Sequence, residues 1–294
     1  MDLHGMIYQR MTTNAELADM LAKYDDRPAV FYQRAAPASS QKWGGAQYPR
    51  IDYIVDMLED PTRNSSGILT VNVWCDTAEG AAPEDMERLI RDLFHANFAA
   101  TDDYPYCFAW VRSEPFEVKT ESEINVRTVG FTIIFDLMAY PSQFTISPDP
   151  IRAMNTWAKT VIPNALVIGH DTMSDWKIPT RDTPIIYWRN AGQAIYQRHH
   201  VVTWLNVAIE GHVYAKSADD RLYNLIRLNT AAALIGHVKM EDDSPLFLLD
   251  FALRPSVNYL AQGQIHINGR FGILQPSYTA TPANILNDAH ISIN

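Results

Sequence analysis

The residues of this chain that could do chemistry are few. They are the adjacent His199 and His200, four groups of neighbouring acids, and Trp43 in the Gly-rich stretch QKWGGAQYP. A metal centre needs imidazoles or carboxylates converging on one point. Adjacent side chains on a strand point to opposite faces, so His199 and His200 are read as a polar strand end. Hydrolysis by a carboxylate pair needs two acids held at a set separation. Asp25-Asp26, Asp102-Asp103, Asp219-Asp220 and Glu241-Asp242-Asp243 supply acids, but each group falls beside an element boundary, where acids start helices or solvate turns. Trp43 is either an exposed interface anchor or a ring folded back onto its own core. HExxH, GxSxG, the phosphate-binding GxxxxGK, GxGxxG before a helix and paired CxxC are all missing from the sequence. No catalytic, cofactor-binding or metal-ligating residue is therefore assigned, and the chain is read as a non-enzyme without cofactors. A hydrolase using a carboxylate pair is the alternative of a different class.

Composition narrows the setting. With 47% hydrophobic and 20% charged residues, the 294-residue chain has ample material for packed cores, and two units of roughly 150 residues are expected. The opening MDLHGMIYQR lacks the basic and apolar regions of a signal peptide, and no apolar run approaches the ~18 residues of a membrane span. A soluble intracellular protein without a membrane partner is expected. Cys75 and Cys107 sit in no recognisable framework and are expected as reduced thiols, which leaves the sequon Asn64-Ser65-Ser66 without a role. The net charge of −10 removes the counterion-release force that supports nucleic-acid binding.

The elements that must position these residues fall into two similar series. YPSQFTISPDP (Tyr140–Pro150) is poor helix and poor central strand, because proline lacks an N–H and restrains the residue before it. It places a boundary at about residue 147, giving domains 1–147 and 148–294. In the first, Ala15–Lys23 reads as helix, Ala29–Gln33, Arg50–Asp56 and Ile68–Trp74 as strands, with the turn-rich DPTRNSSG (60–67) between the last two. Pro83 then opens a helix with Met86, Leu89, Ile90 and Leu93 as its apolar stripe. Phe116–Lys119 and Asn125–Phe135 follow as strands. In the second, Ile151–Lys159 reads as helix, and Ala165–Ile168 and Ile185–Trp188 as strands. The alternating run from Val201 to Val213 comes next, then a helix from Asp219 with Leu222, Leu225, Ile226 and Ala233 inward. Pro245–Leu253 and Gln264–Leu274 close it, with Asn268-Gly269 as a hairpin turn or a bulge.

The expected fold class is therefore α+β: two similar α-β-β-β-α-β-β domains in tandem, each a mostly antiparallel sheet packed by helices. VWCDTAEGAAPEDMERLIRDL (Val73–Leu93) and VYAKSADDRLYNLIRL (Val213–Leu228) repeat a strand-to-helix step ending in Leu-Ile-Arg, read as core-facing residues followed by a solvated arginine. The matching order favours a duplication. The polar segment Gln275–Asn294 is expected to be an extended arm that orders on a neighbouring subunit.

The series AELADMLAKY, VFYQRAAP, YPRIDYIVD, GILTVNVWCD, DMERLIRDLF and VRTVGFTIIFDLMAYP resembles the tail terminator or tail completion family of long-tailed bacteriophages, over about residues 5–141. That resemblance implies a structural virion protein, located in the tail and neck and assembled in the host cytoplasm. It would form a ring at the head-proximal end of the tail, end tail tube polymerisation and join tail to head. The implied partners are the tail tube protein, a head-tail connector or stopper protein, and DNA passing through the lumen without specific binding. The second domain departs from a one-domain family. Either each chain fills two of six ring positions, giving a pseudo-sixfold trimer, or six chains form a hexamer with an added layer. Another neck, tube or baseplate-associated tail protein is the near alternative. The acidic balance would keep DNA from adhering in the lumen; a strongly basic ring interior would contradict this.

Overall fold

The computed structural model describes residues 2–58, 66–77, 82–119, 127–143, 146–173, 176–255, 259–260 and 262–274. Asn64 of the sequon, most of the turn-rich 60–67 stretch and the 275–294 segment read as an arm lie outside them.

Asp2 caps α1 (Leu3–Thr13) through Gly5 N, and Asn14 caps α2 (Ala15–Met20) through Leu17 N. A ribbon of β1 (Lys23–Tyr24) and β2 (Arg27–Pro28) leads to β3 (Val30–Tyr32), β4 (Arg50–Leu58) and β5 (Ser66–Asp76). Then come α3 (Pro83–Phe94), with Pro83 at its start, and β6 (Asn97–Ala100), β7 (Pro105–Lys119) and β8 (Arg127–Ala139). The chain continues with α4 (Pro150–Val161), β9 (Leu166–Val167), β10 (Trp176–Lys177), β11 (Ile185–Arg198) and β12 (Val202–Tyr214). It closes with α5 (Ala218–Ile235), β13 (His237–Lys239), β14 (Pro245–Leu253) and β15 (Ile265–Leu274).

The result is α+β, built on two curled, mostly antiparallel sheets. The first has the order β10-β6-β7-β8-β5-β4-β3 and the second β13-β14-β15-β12-β11-β9. Apart from β10, which joins the first sheet by pairing with β6, the two orders correspond strand for strand. In both, the parallel pair lies at one edge, β3 with β4 and β9 with β11. Both also carry a register shift in the corresponding strand, at Trp110/Arg112 of β7 and Leu248/Asp250 of β14. Three strands follow α3 and three follow α5, one more in each half than expected. The additions are β6 and β13, too short for an alternating pattern to register.

Each sheet buries one face against its helices. Leu69, Val71 and Val73 of β5 and Ile133 and Phe135 of β8 meet Ile7 and Met11 of α1 and Met86, Ile90 and Phe94 of α3. In the second sheet Leu205, Val207 and Ile209 of β12 meet Met154 and Trp157 of α4 and Leu225 and Leu228 of α5. The alternation expected from Val201 to Val213 holds in its inner half, while Val201 itself is exposed. A third cluster joins the halves: Phe98, Cys107, Met138 and Tyr140 from one side, Ile185, Tyr187 and Tyr214 from the other.

Several expectations change. α1 has no counterpart among the expected helices, because His4, Gly5, Gln9 and Arg10 dilute its stripe of Leu3, Met6, Ile7 and Met11. β7 runs from Pro105, not Phe116, and tolerates Pro115 because that stretch has no strand partner on its outer side among the described residues. Asn268-Gly269 is neither hairpin turn nor bulge: β15 passes straight through, and the irregularity lies opposite, in β14. Of the expected α5 stripe only Leu225 is buried; Leu222, Ile226 and Ala233 are exposed. The two Leu-Ile-Arg triplets are one residue out of phase, since α3 buries Ile90, the middle residue, and α5 buries Leu225, the first. Neither arginine is simply solvated. Arg91 pairs with Glu87 and covers Trp110, and Arg227 donates to Val161 O at 3.0 Å.

Asp171 ties α4 to β9. Its Oδ2 accepts from Lys159 Nζ at 3.0 Å and Val167 N at 2.8 Å, and its Oδ1 lies 3.0 Å from His170 Nδ1. Burial by itself would raise this carboxyl, but the bonds from Val167, His170 and Lys159 outweigh it and hold the group below its ordinary 3.8. The stability it contributes is present above the unfolded value and is lost as pH falls through the lower folded one. D171N is expected to cost about 1–2 kcal/mol at neutral pH. Urea unfolding should show the gap to the unsubstituted protein narrowing in acid; a gap independent of pH would contradict the ionic tie.

Candidate functional site

The residues singled out for chemistry do not converge. His199 and His200 are both exposed, in the turn between β11 and β12. Asp25 and Asp26 form the β1–β2 turn with φ of 53° and 61°, and Asp102-Asp103 occupy the turn between β6 and β7. Asp219 and Asp220 open α5, where Ser217 caps Asp220 N at 3.0 Å. Glu241 pairs with Arg152 at 2.5 Å and Asp243 with Lys239 at 2.8 Å. The acid groups thus serve four separate turns and helix starts, and none of them builds a two-carboxylate site. Among the described residues no three or more His, Cys, Asp and Glu side chains are grouped to hold a metal ion. Both cysteines are free and buried. Burial raises the Cys75 thiol to about 11, with Glu84 adding to the effect, and burial raises Cys107 as well, so neither forms a ready nucleophile. Trp43 folds back: its ring meets Tyr24 at 5.0 Å and Phe31 at 5.7 Å, and its Nε1 donates to Pro37 O at 3.0 Å.

What the fold offers instead is surface. The long strands outrun their short neighbours, leaving sheet edges without a strand partner among the described residues. β9 pairs with β11 only at Ile185 and Ile186, so β11 is open on that side out to Arg198. β13 pairs with β14 only as far as Phe247. In the first sheet β3 leaves β4 open past Tyr53, and β6 leaves β7 open past Phe108. Exposed edges invite pairing with another chain unless charge or proline guards them. β7 is guarded by Arg112, Glu114, Pro115 and Glu117, and β4 and β14 by Asp56 and Asp250. The β11 stretch from Ala191 to Gln197 holds no charge and no proline, and it exposes Ile195 and Tyr196 by about half.

That edge borders a groove. α4 and α5 pack on one face of the second sheet, and the opposite face carries Trp204, Phe247, Leu249 and Arg270 around a cavity of about 490 Å³. The Arg270 guanidinium lies 3.6 Å from the Tyr196 ring centroid and donates to Asn206 Oδ1 at 2.9 Å, which fixes the wall on the β11 side. Leu249, the extra residue at the β14 irregularity, projects from the rim. Beside it a second hollow of about 310 Å³ is lined by Gln193, Asn206 and Asn268.

The first sheet has a polar counterpart. A cavity of about 490 Å³ opens over β4 and β5, walled by the loop Gln33–Ala38 and by Gln47 and Tyr48. On its floor the buried Asp52 accepts from Asn72 Nδ2 at 2.8 Å and from Trp74 Nε1 at 2.5 Å, and Thr132 Oγ1 donates to Asn72 Oδ1 at 2.8 Å. Burial pushes the Asp52 carboxyl upward, against its two hydrogen bonds and the charge of Arg50.

No family model and no curated protein matches this chain. No helix among the described residues is long and apolar enough to cross a membrane.

Sequence reasoning missed all three cavities. The alternation of Ile51, Tyr53 and Val55 in β4 was legible, with Asp52 among its polar neighbours, and Ile68–Trp74 read only as a strand. Nothing in the order of residues says that β5 and β8 bring Asn72 beside Thr132. The one available signal was Asp52 and Ile54, an acid and an apolar group sharing the outward face of one strand.

Proposed function

We propose that this chain is a structural virion protein that assembles into a ring at the head-proximal end of a phage tail, ends tube polymerisation and joins the tail to the head and neck. The observation that carries the reading is the repeated strand order, with an edge at either side of each sheet that lacks a full strand partner among the described residues. A subunit whose opposite edges differ associates head to tail, and head-to-tail contacts close into rings when the rotation permits. The unguarded β11 edge and the groove beside it supply apolar surface for such contact. Correspondence in strand order, in the parallel edge pair and in the β7 and β14 irregularities favours two copies of one ancestral unit. On that basis each chain fills two of six positions around a hexameric tube; six chains with a stacked second copy is the other arrangement. The tube protein and a connector or stopper would flank the ring, with DNA passing through without specific contact, and the net charge of −10 agrees with that passage.

Native mass measurement and negative-stain imaging test this. A ring with a central hole is expected, of three chains in the first arrangement and six in the second. I195K places a charge on the unguarded edge and should leave folded monomers, with unchanged circular dichroism. A chain that stays monomeric at every concentration would sink the reading.

A further inference from the structure

Arg50 is held against two aromatic rings. Its guanidinium carbon lies 4.7 Å from the Tyr48 ring centroid and 5.9 Å from that of Trp74. Its Nε is buried without a hydrogen-bond partner. The obvious internal partner is engaged elsewhere: Asp52, two residues along the same strand face, has one oxygen bonded to Asn72 and the other to Trp74. A guanidinium fixed by two aromatic rings loses little freedom on binding and presents a planar fork of donors. Arg34 lines the same cavity, with the amides of Gln33 and Gln47 beside it.

We propose that this cavity over β4 and β5 is a receptor for a carboxylate carried on a protein side chain, with Arg50 as the bidentate partner and Arg34 as the second cation. A carboxylate matches the guanidinium fork in shape and charge. The cavity is open at its mouth, and one wall is the small apolar run Ala35–Ala38, against which a peptide backbone can lie. An acidic side chain entering from above would give the Arg50 Nε its acceptor without displacing the Asp52 network. Every residue in the site belongs to the first half of one chain.

The test uses the full chain and two small probes, N-acetyl-glutamate N-methylamide and its glutamine analogue. The readout is the indole N–H resonance of Trp74, assigned by its loss in W74F. The glutamate probe should move that resonance saturably, and the glutamine probe should not. R50Q should weaken binding about tenfold or more, and R34Q, which leaves the Arg50 stack intact, should weaken it less. R50K keeps the charge but not the fork and should behave nearly as R50Q. An unmoved resonance, or equal shifts from both probes, overturns the proposal. Inorganic phosphate saturating the site at lower concentration than the glutamate probe would also overturn it, marking a tetrahedral-anion site instead.

Discussion

Replacing Gly130 with alanine is expected to cost about 3 kcal/mol or more and to lower the urea midpoint accordingly. Gly130 lies in β8, held between Trp74 of β5 and Phe116 of β7. A Cβ there would stand 1.8 Å from Val73 O and 2.7 Å from Phe116 Cζ. A side chain can swing aside, but the Val73 carbonyl is part of a strand paired on both flanks, so the backbone has nowhere to retreat. The glycine also lets the Trp74 and Phe116 rings meet across the strand, at 4.7 Å between centroids. Because Trp74 anchors Asp52, G130A should disturb the polar cavity as well, visible as a shifted Trp74 indole resonance. Near-native stability of G130A would mean that β5 and β8 are not in this register.

Phe98→Ala is expected to cost about 3–5 kcal/mol. Phe98 is fully buried at the seam between the halves, 4.8 Å from the Tyr214 ring and 5.8 Å from that of Tyr140. Its backbone pairs with Lys177, so β6 is where the second half reaches into the first sheet. Removing the ring leaves a cavity lined from both sides, and the aromatic neighbours are themselves too constrained to fill it. Tyr187 is fixed by its hydroxyl on Pro141 O at 2.9 Å, and Tyr140 reaches Leu260 O at 3.3 Å. Hydrogen exchange should therefore quicken on both sides of the seam, in β6 and β7 and at the inner ends of β11 and β12. Faster exchange confined to the first half would show that the seam does not couple them.

Much of the fold was legible in the residues. Period-two alternation located β4 and β12, and Pro83 with its following acids marked the start of α3, because these signals are local and each needs only a half-buried strand or one helix face. The same locality explains the failures. Leu222 and Ile226 have the spacing of a buried stripe, yet α5 lies on the sheet with Leu225 and Leu228 downward, and a spacing pattern cannot say which of two apolar faces meets the sheet. The expected strand began only at Phe116, and β7 carries Pro115 on a stretch whose outer side has no strand partner among the described residues.

The sequence by itself determined the α+β class, the inward face of β4 and that of the inner half of β12, all consequences of burying apolar side chains at fixed backbone periods. Only the tertiary structure decided which edges lack a strand partner among the described residues, how Phe98, Tyr140 and Tyr214 form one seam, and that Arg50 lies against the Tyr48 and Trp74 rings with its Nε unpaired. Those features depend on pairings between strands far apart in the chain, and no local period encodes them.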